Sequence, residues 1–275
     1  MEQKVPSPKQ PLPFYNPVTS DIHINSWPNH TLIVPLCAVG NVGQLACDLI
    51  ISTLLNNGSC KLIGRIYSPA LMPVVGPNAF NHAKDSNQPS TSTEVYECPS
   101  KKLIIIQQRT SYFKELKHLY VKDFVQWIRE CQFAKVIVLT SSFSQCNPDT
   151  GNLGQESNSL YYVATGRLDD DINRLMESLN LRQVPDEKTN IALRNGLTYL
   201  PGSGLTKMLI ESFRKHSIGA TFLIQFCSEG ENMQDAYVVA NAVDKLPLVC
   251  DPSLKHQLLE SSDSWVEPIS WREGS

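Results

Sequence analysis

A short glycine-containing segment has the residue types that bind phosphate groups. It consists of Gly40, Asn41, Val42 and Gly43, and it lies between an apolar run and a run with helical spacing. Backbone N–H groups at the start of a helix can bind an anion. The segment lacks the complete Gly-x-Gly-x-x-Gly pattern and has no Walker lysine. Two interpretations therefore stay open, a vestigial anion-binding turn and a simple strand-to-helix turn, and the incomplete motif favours the simple turn.

Two further segments carry small or polar residues where a strand is predicted to end. Pro201–Gly204 is a second glycine turn, and Thr140–Ser142 has three hydroxyl side chains. Open α/β sheets bind ligands beyond the carboxyl ends of their strands, so the two glycine turns could line one crevice and the hydroxyls could bind an anion. Hydroxyls in such positions more often cap the next segment. Neither segment has the Gly-x-Ser-x-Gly spacing of a nucleophilic serine.

Residues that bind metals or transfer protons are scattered along the sequence. The six histidines show no His-x-x-x-His spacing and no pairing with cysteine at ligand spacing. Asp169–Asp171 could bind a divalent cation, but an acidic first turn is also favoured by the helix dipole alone. No nucleophile, base and orienting group form a recognisable set. We therefore predict no catalytic residue, metal or cofactor, and a binding protein rather than an enzyme.

The elements around these segments predict an α/β fold. Thr31–Ala38 has the composition of a strand buried on both faces, and helical spacing follows over Val42–Leu54. A hairpin is expected over Glu94–Arg109, and further apolar strands alternate with amphipathic helices. Ser228–Glu231 predicts a capping box at the start of the last helix. This order predicts a single α/β domain with a mixed, mainly parallel sheet flanked by helices.

Composition divides the 275 residues into three parts. Residues 1–28 contain six prolines and few aliphatic residues, so we expect a flexible tail outside the core. The α/β domain is expected over residues 29–250. Residues 251–275, with Trp265 and Trp271, are expected to form a weakly structured tail. With 41% hydrophobic residues the domain can form its core without disulfides or metals.

Charge and cysteine content narrow the class of protein. A net charge of −3, without a dense cluster of Lys and Arg, disfavours a nucleic-acid-binding protein. No apolar run approaches the roughly 20 residues of a transmembrane helix, and the amino terminus has no apolar signal-peptide core. None of the eight cysteines forms a Cys-x-x-Cys pair. Several lie in apolar strands or helices, so we expect reduced thiols in a cytoplasmic protein.

One long irregular segment, residues 68–93, is too apolar at its start for an ordinary linker. A connection of this length inside a domain is usually functional or disordered. The candidate partner-binding residues in it are Leu71, Met72, Pro73, Val74 and Val75. We expect them to be buried either against the domain itself or against a partner protein, and the sequence leaves both alternatives open.

Several parts of the chain resemble the family of eukaryotic proteasome assembly chaperone 2. In order they are Val39–Leu54 (VGNVGQLACDLIISTL), Met72–Gly76 (MPVVG), Val136–Ser142 (VIVLTSS) and Phe226–Ala236 (FCSEGENMQDA), with Glu94–Tyr96 and Leu197–Lys207 as further matches. The first segment is long and specific, and the others follow in the order of the family. The resemblance extends over about residues 30–245.

The resemblance implies a chaperone without catalytic activity. Members of this family pair with proteasome assembly chaperone 1, and the heterodimer binds α subunits of the 20S proteasome and promotes α-ring assembly. The family fold is similar to nucleoside phosphorylases, so a nucleoside phosphorylase or hydrolase is the alternative function. We expect the protein in the cytoplasm and also in the nucleus. Some members of the partner family dock through a terminal hydrophobic–tyrosine–any tripeptide. This chain ends Arg272–Ser275, so we do not expect such docking from it.

Overall fold

The computed structural model describes residues 13–18, 26–80, 88–148, 160–166, 170–184, 200–247, 257–259 and 264–272. The strands are β1 (Tyr15–Pro17), β2 (Thr31–Pro35), β3 (Lys61–Ile66), β4 (Val75–Gly76), β5 (Ser90–Thr91), β6 (Thr93–Cys98), β7 (Leu103–Gln108), β8 (Lys135–Phe143), β9 (Leu160–Ala164), β10 (Arg182–Gln183) and β11 (Ala220–Cys227). The helices are α1 (Val42–Asn56), α2 (Lys117–Cys131), α3 (Asp170–Ser178), α4 (Thr206–Lys215), α5 (Met233–Lys245) and α6 (Ile269–Arg272). Within these ranges no helix has the length and apolar character needed to span a bilayer.

Nine of the described strands form one mixed sheet in the order β1-β3-β6-β7-β2-β8-β11-β9-β10. Pairing is parallel through the centre, from β7 across β2 and β8 to β11. It is antiparallel from β1 to β7 and between β11 and β9, while β10 runs parallel to β9. The predicted α/β fold with a mixed sheet is confirmed. The parallel strands lie in the centre because both of their faces are covered by helices.

Helices cover both faces of the sheet, and each face has its own hydrophobic core. On one face α2 and α4 contact each other, and on the other face α1 packs against α5. Neighbouring residues of β7 belong to different cores: Ile104 belongs to the same core as Phe124 of α2, and Ile105 to the same core as Leu49 of α1. This division follows from the alternation of side chains along a strand. The apolar run in β7 is therefore buried on both sides.

Part of the amino-terminal region belongs to the sheet. β1 pairs with β3, and the Tyr15 hydroxyl donates to the Ile63 carbonyl at 3.2 Å. Trp27 is fully buried, and its ring stacks on Phe133 with centroids 5.7 Å apart. The expectation that all of residues 1–28 lies outside the core is therefore wrong. Aromatic side chains bury enough apolar surface to hold a segment that has few aliphatic residues.

The described part of the carboxy-terminal region, residues 264–272, also packs on the domain. The indole N–H of Trp265 donates to the Asn241 amide oxygen at 2.8 Å, and the Val266 N–H donates to the Thr53 hydroxyl at 2.9 Å. Trp265 and Trp271 both contact the core beneath α1 and α5. The prediction of a weakly structured tail is therefore wrong for these residues.

The predicted capping box at Ser228–Glu231 does not form. Helix α5 begins at Met233, and no side chain caps its amino terminus. The Asn232 amide instead donates to the carbonyls of Ser228 and Gly230, at 3.1 and 2.9 Å. Gly230 has a φ of 130°, a backbone conformation that favours glycine. Because this conformation is not helical, the helix begins only after Gly230.

Candidate functional site

The polar segments identified in the sequence meet at one edge of the sheet. The Val39 N–H, just before the first glycine turn, donates to the Gly202 carbonyl of the second turn at 2.8 Å. At the end of β8 the Ser141 hydroxyl donates to the Val39 carbonyl at 2.5 Å, and the Ser142 hydroxyl donates to the Pro201 carbonyl at 2.8 Å. The two glycine turns and these two hydroxyls therefore lie together, and both hydroxyl protons bind backbone carbonyls of the chain itself. The third predicted hydroxyl, that of Thr140, lies 2.8 Å from the Thr206 hydroxyl.

Close backbone contacts explain two of the glycines at this edge. A Cβ at Gly43 would overlap the carbonyl oxygen of Leu139, and a Cβ at Gly204 would overlap the carbonyl oxygen of Cys37. Gly204 also has a φ of +62°, which disfavours other residues. These glycines are needed for packing, whether or not a ligand binds. Anion binding by Gly40–Gly43 stays a prediction.

Two cysteines at the same edge have thiols that burial keeps protonated. Burial raises the pKa of Cys37, after β2, to about 12, and it raises the pKa of Cys227, at the end of β11, to about 11. The Cys37 thiol donates to the Thr110 carbonyl at 2.9 Å, and the Cys227 thiol lies 3.6 Å from the Val39 carbonyl. The thiolate is the nucleophilic form of cysteine, so neither side chain has the reactivity of a catalytic thiol.

The structure describes no cluster of metal ligands. Within its described ranges no three His, Cys, Asp or Glu side chains are grouped so that they could hold an ion. Asp169 lies outside those ranges, as do the side chains of Asp170 and Asp171. Their two interpretations, a cation site and a favourable helix start, stay predictions.

The predicted partner-binding loop divides into a buried and an exposed part. Leu71 is buried and forms an isolated β-bridge with Tyr112. Met72, Val74 and Val75 are 40%, 50% and 69% exposed, and Pro73 between them is also exposed. Burial against the domain itself therefore applies to Leu71, and burial of the next four residues against a partner stays a prediction. Leu71 covers the core of its own domain, whereas the next four residues do not.

Hydrogen bonds fix the backbone of this exposed part. The Ser92 hydroxyl donates to the Met72 carbonyl at 2.9 Å and accepts from the Val74 N–H at 2.7 Å. Strand β4 then pairs with β5. Because these hydrogen bonds already order the loop, a partner protein that binds it does not have to do so. Less conformational entropy is therefore lost on association.

Exposed hydrophobic side chains are concentrated around this loop. Of the seven large ones among the described residues, six lie in segments 67–75 and 113–119, and the seventh is Val238. The two segments are neighbours, since the Phe113 N–H donates to the Ala70 carbonyl at 2.8 Å. We define the apolar face as Met72, Pro73, Val74, Val75 and Phe113. Concentrated apolar surface of this kind marks protein interaction sites.

A buried ionic network supports the strands behind the apolar face. Two nitrogens of Arg109 donate to the two carboxylate oxygens of Asp48, at 2.8 and 3.3 Å. The Gln107 amide donates to the same carboxylate at 2.6 Å, and the Arg109 guanidinium lies 5.3 Å from the centre of the Phe80 ring. The backbone N–H of Arg109 donates to the Ser92 carbonyl at 2.8 Å. Arg109 thus connects Asp48 of helix α1 to Ser92, whose hydroxyl binds the backbone of the exposed loop.

Sequence reasoning missed this network. Asp48 and Arg109 are 61 positions apart in the chain, so no local pattern joins them. One signal was available: Asp48 is an acidic residue inside the apolar run of α1, and a buried carboxylate needs a cationic partner.

Comparison with known proteins shows what the chain resembles. The model of the PAC2 family matches residues 32–262. The chain is 33% identical over 247 residues to Proteasome assembly chaperone 2 of Mus musculus, covering 89% of this chain and 90% of the relative. It is 32% identical over 250 residues to Proteasome assembly chaperone 2 of Homo sapiens, covering 88% and 90%.

A solved structure shares the fold. PbaA of Pyrococcus furiosus, an archaeal homolog of proteasome-assembly chaperone, superposes with a TM-score of 0.59 over 84% of each chain at 16% identity. At this identity the likeness concerns the fold alone.

Proposed function

The chain belongs to the PAC2 family, and on that premise we propose that it is a chaperone of proteasome assembly. It pairs with proteasome assembly chaperone 1, and the heterodimer binds α subunits of the 20S proteasome and promotes assembly of the α-ring without catalysis. It acts in the cytoplasm and in the nucleus. The names of the curated relatives support the chaperone role. The partner, the action on the α-ring and the location are inferences that the experiments below address.

The apolar face is the observation that carries this proposal. Val74 and Val75 are 50% and 69% exposed on a loop whose backbone is hydrogen-bonded. Burying a valine side chain completely contributes about 1.5–3 kcal/mol to association. Since Val74 and Val75 are already partly buried, a partner that covers the face gains a fraction of this energy from each side chain. An exposed, ordered apolar surface is what a protein that works by pairing requires.

The first experiment measures mass by light scattering, with the chain alone and co-expressed with proteasome assembly chaperone 1 of the same organism. We expect a stable one-to-one complex that captures free α subunits. Immunofluorescence of the complex in cells then tests its location in cytoplasm and nucleus. A well-behaved chain that binds neither the chaperone nor the α subunits would overturn the proposed function.

The second experiment compares the same substitution at two exposed valines. Val74→Asp places a charge on the apolar face, and Val238→Asp places one on α5, where the valine is 44% exposed. We expect Val74→Asp to weaken pairing by about tenfold or more, as for an interface hot spot, and Val238→Asp to change it by less than about twofold. An unchanged affinity for Val74→Asp would remove this face from the interface without touching the chaperone role.

A further inference from the structure

A groove with aromatic and apolar walls lies beside helix α2, with a cavity volume of about 600 Å³. The centroids of the Phe14 and Trp127 rings in its wall lie 6.1 Å apart. The exposed side chains of Tyr67 and Leu119 also line the groove. The Tyr67 N–H donates to the Phe14 carbonyl at 2.9 Å, so the start of β1 is held against the end of β3. Pro13, Tyr15, Pro69 and Cys131 line it too.

The charged side chains among the described residues that line the groove are all acidic. Asp123 and Glu130 line it, and among the described residues that line it there is no Lys, Arg or His. Asp123 is half-buried, so solvent screens its charge less than that of a fully exposed carboxylate. Two carboxylates beside an apolar surface attract a cationic side chain and disfavour an anionic one.

Aromatic walls of this kind fit one class of ligand. Segments rich in proline are extended before they bind, lose little entropy on binding, and dock in grooves lined with aromatic side chains. We propose that this groove binds an extended proline-containing segment of a partner protein, with a lysine or arginine of that segment next to Asp123 and Glu130. The proposal goes beyond the chaperone function, since no residue of the apolar face lines the groove.

The groove on the other side of α2 provides the contrast. It lies between α2 and α4, and its volume of about 840 Å³ is larger. Lys122, Arg129 and Lys215 line it together with Glu130 and Glu211, and no Phe, Tyr or Trp is among its described lining residues. Mixed charge without aromatic walls gives no selectivity for a basic, proline-containing segment. Its Glu211 therefore serves as the control position.

The test is fluorescence anisotropy with the full chain and a dye-labelled peptide, Ala-Pro-Leu-Pro-Arg-Lys. A second peptide carries two glutamates in place of the arginine and lysine. We expect saturable binding of the basic peptide and at least about tenfold weaker binding of the acidic one, because like charges next to carboxylates repel. Equal binding of the two peptides, or binding of neither, would overturn the proposal.

Variants of the chain locate the binding. Tyr67→Ser removes an exposed aromatic wall and is expected to weaken binding of the basic peptide by about tenfold. Asp123→Asn keeps the shape and removes one charge, with an expected loss of about two- to fivefold that fades at high salt. Glu211→Gln is expected to have no effect. Leu119→Ser replaces Tyr67→Ser if that variant does not fold, and binding unaffected by all groove variants would overturn the assignment.

The chain itself contains a candidate competitor in its sequence. Residues 1–12 include Lys4, Pro6, Pro8, Lys9 and Pro11. The double variant Lys4→Glu/Lys9→Glu distinguishes two possible occupants of the groove, a segment of a partner protein and the chain's own amino-terminal residues. If the basic peptide binds the double variant and the unchanged chain equally well, a partner segment is supported as the ligand. Binding that occurs only in the double variant would assign the groove to the chain's own amino-terminal residues and overturn the proposal.

Discussion

The carboxyl ends of the central strands and the apolar face use side chains in opposite ways. At the strand ends Ser141 and Ser142 are fully buried, and their hydroxyls bind carbonyls of neighbouring turns. At the apolar face Val74 and Val75 are exposed on a backbone that is already hydrogen-bonded. An α/β protein that binds a small polar ligand usually presents polar groups to a crevice at its strand ends. Here polar groups hold the fold together, and the apolar groups of the loop face solvent.

The largest expected effect comes from the ionic network behind the apolar face. Arg109→Met leaves Asp48 buried without its cation, which should lower the free energy of unfolding by about 3–5 kcal/mol. The matched control is Lys61→Met. Its ion pair with Glu97 has a lysine that is 61% exposed, so its loss should cost less than about 1 kcal/mol.

Urea denaturation of both variants measures this difference. A loss for Arg109→Met as small as that of Lys61→Met would mean that the network does not stabilise the segment behind the apolar face.

A smaller effect is expected when the same methyl group is added in each region. Gly43→Ala places a Cβ against the Leu139 carbonyl and should lower the free energy of unfolding by about 1–3 kcal/mol. Gly76→Ala, next to the apolar face, has no heavy atom within 4 Å of the added Cβ and should change it by less than about 0.5 kcal/mol. Thermal and urea denaturation measure the stability of both variants. If Gly43→Ala is as stable as the unchanged chain, the glycine turn has free space for a side chain.

The smallest effect is expected from ligands at the strand ends. Phosphate and a panel of nucleosides at millimolar concentration should shift the Tm by less than about 1 °C, because a ligand stabilises the chain only if it binds the folded state. Differential scanning fluorimetry measures the shift. A concentration-dependent rise of about 4 °C or more would favour the alternative function, a nucleoside phosphorylase or hydrolase, and would make Gly40–Gly43 its first anion site to test.

Much of the fold is predictable from the sequence, and the predictions that are wrong have a common cause. The strand-turn-helix unit of β2 and α1 and the hairpin of β6 and β7 are where the apolar periods indicate. The sequence pattern places Tyr15, Trp27 and Trp265 in tails, because their neighbours in sequence are polar or proline-rich. Each of them packs against residues far along the chain, and a local pattern contains no information about such contacts.

The sequence by itself determined the alternation of strands and helices, since the period of apolar residues is a local property of the chain. It also indicated that the loop Leu71–Val75 is too apolar for a linker. Only the tertiary structure decided that Leu71 is buried and Val74 is exposed, because burial depends on distant partners such as Tyr112 and Ser92. In the same way, whether the Ser141 hydroxyl faces a crevice or a carbonyl depends on where the turn before α1 lies, and only folding brings the two together.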